Sequence, residues 1–504
     1  MKENRSLKNL VYSIASQVIV LALGLIVPRI LLTSYGSDTN GLLGTVTQIM
    51  TYMALLEAGI GQAARNELYH YIHGKVYDKE NICQVMSVSR KSFRDITRFY
   101  ALAVLFLALT TPFIIKTDLD YKTVFFVVLL EGATGVISFY FVQNWKNLLM
   151  VDGRQYVNAN IDLVNKILCY SVKIVLARTG VNIIYMELGF FLASIIRLFL
   201  YKIYMNAKYG WIAYNNDTGD RKLKDRGSFI LTEIAWTVFS STDMIVLSIF
   251  CSTKDASVYS VYNMVFVAIN HLLNAVYTGL KFNLGQTYHD NIERYKDVHD
   301  LFNSLVLGAM SAAMSVTYFL CIPFVRLYTS GVHDINYINY ALPIGFCLVQ
   351  LLSWSRMIAG NLSGLAGYAK QVSKISMIEA ITNIVLSVIL VNRFGIAGVL
   401  FATVFALPLK LIYCNWLADR VILKRSPFKT IRILAVNIGL FLVLVFIRNH
   451  IDFEVKSYGM FVKYGILFTA CSVLLFSVAN VLANRKIYTT LKTIMRRFNA
   501  RKAR

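Results

Sequence analysis

The chain has 504 residues, of which 56% are hydrophobic and only 16% are charged. Globular domains average about 45–50% apolar and about 25% charged residues, and a soluble protein this apolar could not cover its surface with polar groups. The formal net charge of +23 is typical of nucleic-acid binders, but here the basic residues fall in short segments between long apolar stretches. The composition therefore predicts a polytopic helical membrane protein and excludes nucleic acid as a partner.

Fourteen segments are apolar and long enough to be counted as membrane-spanning helices, each of which needs about 20 residues. They are 10–32, 41–63, 99–115, 123–145, 161–177, 183–204, 229–250, 257–280, 302–322, 338–359, 375–391, 396–416, 433–447 and 460–483. The basic start of the chain resembles a signal peptide, but its apolar run is too long and no clear cleavage site follows. We therefore expect an all-α polytopic membrane protein with about 14 transmembrane helices.

The basic residues predict the orientation of these spans. With the N-terminus inside, the cytoplasmic segments hold 35 of the 51 Lys and Arg residues and the external segments hold 8. Basic residues accumulate on the cytoplasmic side of membrane proteins, so both termini are expected in the cytoplasm. The basic tail at 484–504 follows the same rule, and recruitment of anionic lipid is an alternative reason for its charge.

The sequence offers no support for an enzyme or a bound cofactor. The longest connections between spans, 64–98 and 206–228, are shorter than the usual domain minimum of about 50 residues. The sequence contains no GxxxxGK[ST], HExxH or GxSxG motif. Its seven cysteines form no CxxC pair or Cys/His cluster, which argues against a zinc site or a disulfide framework. We therefore predict no catalytic residue, no metal and no cofactor.

A weak internal repeat is present at an offset of about 215 residues. The matched segments are 35–41 with 253–259, Gly153 with Gly367, and 178–181 with 393–396. Transporters are often built from repeated halves, so the repeat predicts two parallel-related six-helix lobes followed by two extra helices. The corresponding domains are 1–206, 207–419 and 420–504. Chance similarity among apolar sequences is the alternative.

The eighth predicted span carries a polar stripe along its whole length. The stripe consists of Tyr259, Asn263, Asn270, Asn274, Tyr277 and Lys281. At about 100° per residue these positions fall within roughly 60° of one another on a helix. A stripe of this kind favours the wall of an aqueous path, and hydrogen bonding between helices is the alternative.

Other charged and polar residues within the spans extend this candidate path. Charged side chains in the membrane usually face a water-filled cavity or a partner, although some near helix ends only extend to the interface. Arginine suits phosphate, while Asn, Gln, Tyr and Trp suit sugars, so the path fits an anionic, hydroxyl-rich solute better than a cationic drug. The candidate substrate-path residues are Arg29, Glu57, Arg65, Glu233, Asp243, Asn263, Asn270, Asn274, Lys281 and Arg356.

Three stretches resemble motifs of the Wzx-type O-antigen and polysaccharide flippases, in the polysaccharide-transport branch of the multidrug/oligosaccharidyl-lipid/polysaccharide (MOP) superfamily. LEAGIGQAAR at 56–65 resembles "LGLG-xAxxR", and STDMIVL at 241–247 followed by VYSVY at 258–262 resembles "D-x-(I/L)-(I/L)-L … (L/V)-G-x-Y". Asn383 followed by FGIAGVLFAT at 394–403 resembles "N-x-x-L … FGIxGAAxAT". The chain departs from the family at Glu57, where many relatives carry Asp, and before Tyr259, where the usual Gly is missing.

The resemblance implies a V-shaped pair of helical lobes that opens alternately to each side of the bacterial inner membrane. The implied cargo is an oligosaccharide on a polyprenyl diphosphate, for O-antigen (lipopolysaccharide), capsule or exopolysaccharide assembly. It also implies membrane lipid and other polysaccharide assembly proteins as partners, and transport driven by an ion gradient or membrane potential. The alternatives are a multidrug exporter of the same fold, a membrane polysaccharide polymerase or ligase, and a non-transporting scaffold or receptor.

Overall fold

The computed structural model describes residues 2–73, 76–214, 234, 237–448, 450–451 and 453–484. Glu233 of the predicted path and the basic tail from residue 485 onward lie outside the described residues. The described chain is all-α, apart from a two-residue antiparallel pair between Ile72–His73 and Val76–Tyr77. This agrees with the all-α polytopic membrane protein predicted from the sequence.

The described residues from Lys2 to Tyr209 form six helices and one π-helical turn. The helices are α1 (Lys2–Tyr69), α2 (Lys79–Ile114), α3 (Tyr121–Ile137), α4 (Gln143–Val151), α5 (Gln155–Arg178) and α6 (Ile183–Tyr209), and the π turn is Ser138–Val142.

The second half, as far as it is described, contains eight helices, with a π turn directly after α12. The helices are α7 (Asp243–Phe250), α8 (Thr253–Asp290), α9 (Ile292–Tyr328), α10 (Ala341–Trp354), α11 (Met357–Leu365), α12 (Ala369–Trp416), α13 (Phe428–Arg448) and α14 (Tyr458–Ala483), and the second π turn is Leu417–Ile422.

Two glycines explain why α1 and α12 each cover two predicted spans. A straight helix of the 68 residues of α1 would be about 100 Å long at 1.5 Å per residue, roughly three times the hydrocarbon thickness. Its backbone leaves the helical region at Gly36, where φ is 83°, and α12 does so at Gly395, where φ is 53°. Each of these helices therefore contains two arms, which correspond to two predicted spans.

Ten helical stretches in the described chain are long and apolar enough to cross a membrane. Two of them, Ile19–Leu55 and Ala369–Ile422, are the ones that contain Gly36 and Gly395. The predicted span at 161–177 lies within α5, which is not among the ten because Asp162, Lys166 and Lys173 lower its hydropathy. The seventh predicted span is described only in part.

The glycines matched by the sequence repeat all have positive φ. Gly153 and Gly367 have φ values of 70° and 85°, and Gly180 and Gly395 have values of 72° and 53°. Residues with a Cβ atom rarely adopt positive φ, so each of these positions favours glycine.

The described chain forms two compact units, residues 1–260 with 331–335 and residues 261–330 with 336–504. In the first unit, α1 and α6 both pack along α5, and α3 packs on α2 and α6. In the second unit, α9 is the most buried of the candidate spans and packs against α10, α13 and α14.

The first unit has two separate apolar cores. One core includes Leu42, Val127 and Met186, and the other includes Ile60, Leu148 and Tyr201. Helices α1, α5 and α6 each contribute to both cores at different levels along their length. Polar and charged residues of these helices that lie between the two levels are therefore brought into a common layer of the bundle.

Candidate functional site

Arg65, predicted to lie on the substrate path, is held in place by two neutral side chains. Its Nη1 donates to Oδ1 of Asn147 at 2.7 Å, and its Nη2 donates to Oε1 of Gln62 at 2.6 Å. A Cβ atom on Gly61 would lie 3.3 Å from the same Nη1, so the missing side chain leaves room for the guanidinium. Neither acceptor carries a charge, and the carboxylate in electrostatic range of Arg65 is that of Glu57.

The contact between Asn147 and Arg65 depends on the π turn at Ser138–Val142, which directly precedes α4. A π turn inserts one residue and so rotates the following residues by about 100° around the helix. After this rotation, Gln143 and Asn147 lie one helical turn apart and face α1. Gln143 Nε2 donates to Oε1 of Glu57 at 2.8 Å, while Asn147 binds Arg65.

Glu57 and Arg65 are thus brought to one face of the first unit. Oε2 of Glu57 is buried without a hydrogen-bond partner among the described residues. Asn147 and Gln143 were missed in the sequence because they lie at the end of the span predicted at 123–145. The polar run Gln143, Asn144, Lys146 and Asn147 is the signal that could have identified them.

A basic cluster formed by Lys146, Asp162, Lys166 and Arg197 lies next to this face. Lys146 Nζ is 2.6 Å from Oδ2 of Asp162, and Nη1 of Arg197 is 3.9 Å from Oδ1 of the same carboxylate. Lys166 lies within electrostatic range of all three groups. Lys166 and Arg197 lie within the predicted spans 161–177 and 183–204, but none of the four residues was among the predicted path residues.

Two further predicted residues belong to the first unit. Arg29, in the turn after Pro28, is half-buried on α1. Asp243 begins α7 and is buried, and its Oδ2 accepts a hydrogen bond of 2.7 Å from the hydroxyl of Tyr259. Tyr259, the first residue of the predicted polar stripe, is therefore hydrogen-bonded within the protein.

The stripe on α8 is divided between packed and exposed positions. Asn270 Oδ1 accepts from Nε1 of Trp354 at 2.9 Å, and the buried Tyr277 hydroxyl donates to the carbonyl of Met357 at 3.3 Å. Asn263 is half-buried, whereas the side chains of Asn274 and Lys281 are exposed. Interhelical hydrogen bonding therefore accounts for part of the stripe, and its exposed members remain candidates for the path.

Arg356, at the junction of α10 and α11, forms a buried ion pair with Glu379 of α12. Lys410, farther along α12, lies within electrostatic range of both groups. Burial and pairing leave Arg356 less accessible in this structure than Arg65. Glu379 was not identified as its partner from the sequence.

The fold is shared with solved structures of membrane transporters. The lipid II flippase MurJ in an inward closed conformation is 16% identical, with a TM-score of 0.71 over 95% of this chain and 99% of that chain. An inward-facing multidrug resistance MATE family transporter of the MOP superfamily is 14% identical, with a TM-score of 0.61 over 80% and 96% of the two chains. The MATE multidrug transporter DinF-BH is 18% identical, with a TM-score of 0.57 over 83% and 97%.

No family model and no curated protein matches the sequence. The chain is therefore a multi-pass membrane protein with the fold of MurJ and the MATE transporters, and its structural neighbours are flippases and transporters rather than enzymes. At these identities the similarity defines the fold alone.

Proposed function

We propose that this protein moves polyprenyl-diphosphate-linked oligosaccharides across the bacterial cytoplasmic membrane by alternating access, as a Wzx-type flippase. Its cargo serves O-antigen, capsule or exopolysaccharide assembly. The observation that carries the proposal is the Arg65 guanidinium, which is oriented by hydrogen bonds to two neutral amides. The similarity to a lipid II flippase supports a lipid-linked cargo.

The physical problem in such transport is to move a charged, hydrated head group through hydrocarbon. Water bound to the diphosphate must be replaced by hydrogen bonds and cations within the protein. Arginine presents five donors in a planar fork and can hold two phosphate oxygens at once. Because Gln62 and Asn147 hold the guanidinium in one orientation, little ordering is left for the moment when the diphosphate binds.

The proposed orientation places Arg65 at the level of the inner leaflet. Arg65 lies in the last turns of α1, which ends at Tyr69, and the basic residues of the following segment assign this end to the cytoplasm. A diphosphate in the inner leaflet would meet the protein at this depth. Reporter fusions placed after Asn9 and after Arg504 should both report the cytoplasm, and an external tail would refute the orientation.

A multidrug exporter is the second candidate function, and the structural similarity to MATE transporters favours it. The two candidates differ in what the path must bind. An exporter of cationic drugs should lose little when Arg65 becomes neutral, whereas a carrier of a lipid diphosphate should lose most of its transport.

The proposal is tested by Arg65→Gln, Arg65→Lys and Asn147→Leu in cells that lack the native copy. The measured quantity is the amount of lipid-linked sugar on each side of the membrane, relative to the amount of inserted protein. We expect Arg65→Gln to lose most transport and Arg65→Lys to lose about tenfold, because a point charge does not reproduce the fork. Asn147→Leu removes one of the two acceptors and should give a smaller loss.

Arg98→Gln is the matched control, because this arginine is exposed and pairs only loosely with Asp95 at 3.6 Å. If Arg65 served only as a positive-inside anchor, its substitution would be as harmless as that of Arg98. Normal glycan export by a normally inserted Arg65→Gln protein would refute the proposed contact with the diphosphate.

A further inference from the structure

We propose that Lys146, Lys166 and Arg197 bind a negatively charged sugar, such as a uronic acid, in the head group of the cargo. This inference rests on the proposed function and specifies its substrate class. It assigns the carbohydrate to a second anion site beside Arg65, which we have assigned to the diphosphate.

The first argument is the charge of the cluster. Three cations from α4, α5 and α6 lie around the carboxylate of Asp162, which is 2.6 Å from Lys146 and 3.9 Å from Arg197, and Lys166 is in electrostatic range of these groups. The carboxylate of Glu57 is in electrostatic range of Lys146 and of Arg65. Because Glu57 and Arg65 add one charge of each sign, the net charge is +2 with or without them. The surplus leaves positive charge that no carboxylate of the cluster neutralises, and on an open face such a surplus suits an anionic ligand.

The second argument is the depth of the cluster in the bundle. Lys166 is at the middle of the 24 residues of α5, and Arg197 is near the middle of the 27 residues of α6. Along both helices these positions lie between the parts that contribute to the two apolar cores of the first unit. The cluster is therefore about halfway through the membrane if these helices span it.

The third argument is its accessibility. The side chains of Lys146, Asp162 and Arg197 are 25%, 30% and 19% exposed, and Lys166 is exposed as well. Charged groups at this depth are rarely in contact with lipid and usually face a water-filled cavity or a partner. The open side of the cluster is thus a place where a hydrated solute can meet three cations.

The fourth argument is the position of the cluster relative to Arg65. Lys146 is adjacent in sequence to Asn147, which accepts the hydrogen bond from Arg65, and consecutive Cα atoms are about 3.8 Å apart. In a lipid-linked oligosaccharide the sugars follow directly after the diphosphate. A cargo held by its diphosphate at Arg65 would therefore present its sugars to the basic cluster.

The experiment compares two probes that differ only in one carboxylate. Full-length protein in lipid nanodiscs is titrated with polyprenyl diphosphate disaccharides that end in glucuronic acid or in glucose. Binding is followed by tryptophan fluorescence, for which Trp145 is next to the cluster in sequence. We expect the glucuronate lipid to bind about tenfold more tightly, which is the order of one charge-assisted contact, and the preference to shrink at high salt.

Variants then separate ligand binding from structural support. Lys166→Gln and Arg197→Gln should each abolish most of the preference for glucuronate without changing the affinity for the glucose lipid. Asp162→Asn removes the competing carboxylate, so it should preserve or increase glucuronate affinity. Lys208→Gln, in the last turn of α6, is the control and should change neither affinity.

The outcomes are distinguishable. Equal affinity for the two lipids, with binding that still depends on Arg65, overturns the acidic-sugar site and leaves the proposed function standing. Failure to bind either lipid overturns both. Loss of glucuronate preference and of thermal stability together in Asp162→Asn means that the cluster joins helices and overturns the inference.

Discussion

Helix α5 carries two lysines, seven residues apart, in very different surroundings. Lys173 is sealed in the bundle, with Nζ at 2.8 Å from Glu187, 3.3 Å from Glu131 and 3.9 Å from the ring centre of Phe190. Its side chain is 7% exposed and that of Glu187 is 0% exposed. Lys166, two turns closer to the cytoplasmic end in the proposed orientation, is exposed beside Asp162.

The difference shows that charges within one helix can serve two purposes. Lys173 has two carboxylates and an aromatic face around it, so its charge is fully engaged by the protein. The Lys146–Asp162–Lys166–Arg197 cluster has more cations than anions and an open side. A sealed charge contributes to holding the helices in place, whereas an open surplus of charge is available to a ligand.

The strongest test of this comparison is the same substitution at both lysines. Lys173→Met leaves two carboxylates buried without their cation, and breaking a buried pair in this way typically costs about 3–5 kcal/mol of folding free energy. Lys166→Met should cost less than about 1 kcal/mol, because interactions of exposed charges contribute little. The measurement is the unfolding free energy of each purified variant in mixed micelles.

A double variant controls for lost packing. Lys173→Met combined with Glu187→Leu removes the buried pair from both sides, and replacing a whole buried pair with apolar residues is often neutral. Most of the lost stability should therefore return. If the double variant is as unstable as Lys173→Met alone, or if Lys166→Met is equally damaging, the distinction between a sealed and an open cluster is wrong.

The all-α fold could be predicted because it depends on signals that are local in the sequence. Apolar runs of suitable length predicted the helices, and Gly36 and Gly395 mark the breaks that keep the arms of α1 and α12 to membrane length. The charges of Lys166 and Lys173 were also visible in the sequence. Their different surroundings were not, because Glu131 and Glu187 belong to other helices.

The surroundings of the polar stripe on α8 could not be predicted from the sequence either. Helical periodicity placed its six residues on one side of the helix, but it gave no information about what packs there. The contacts of Tyr259 with Asp243 and of Asn270 with Trp354 come from α7 and α10. Likewise, the π turn before α4, which sets the register of Asn147, has no sequence signature comparable to a proline or a glycine.

The exposed positions of α8 allow a second comparison, between residues that face water and residues that face lipid. Asn274 is exposed, and Leu272 is also 53% exposed, but we expect only Asn274 to face an aqueous path. A cysteine at Asn274 should react with a small charged thiol reagent several times faster than one at Leu272, since thiolates form in water rather than in hydrocarbon. A cysteine at Asn270, which packs on Trp354, should react at an intermediate rate.

The native cysteines make this measurement practical. Cys169, Cys321, Cys347 and Cys414 are buried and should stay protected. Only the more accessible Cys83, Cys251 and Cys471 need to be replaced in the background, and the reaction is quantified by the mass of the labelled protein. Equal reactivity of the cysteines at positions 274 and 272 would show that these two faces of α8 do not differ in their access to water.

The smallest expected effect concerns the hydrogen bonds between Ser37 and Asp334 in the first unit. Ser37 donates through its N–H to Oδ2 of Asp334 at 2.7 Å and through its hydroxyl to Oδ1 at 2.6 Å. Burial alone would raise the pKa of Asp334, but these hydrogen bonds outweigh it and lower the pKa below its usual value. Ser37→Ala keeps the N–H contact and removes the hydroxyl, so it should cost about 0.5–1 kcal/mol, as for an ordinary hydrogen bond, because Asp334 is exposed to solvent.

This cost should depend on pH in a defined direction. Because the pKa of Asp334 is lower in the folded protein than in the unfolded chain, the stabilisation is complete above the unfolded value of about 3.9 and is lost as the pH falls through the folded value. The difference in unfolding free energy between wild type and Ser37→Ala should therefore be constant from about pH 5 to pH 8, because this whole range lies above about 3.9. The difference should shrink in more acidic solution. A difference that grows on acidification would mean that Ser37 does not favour the ionised form of Asp334.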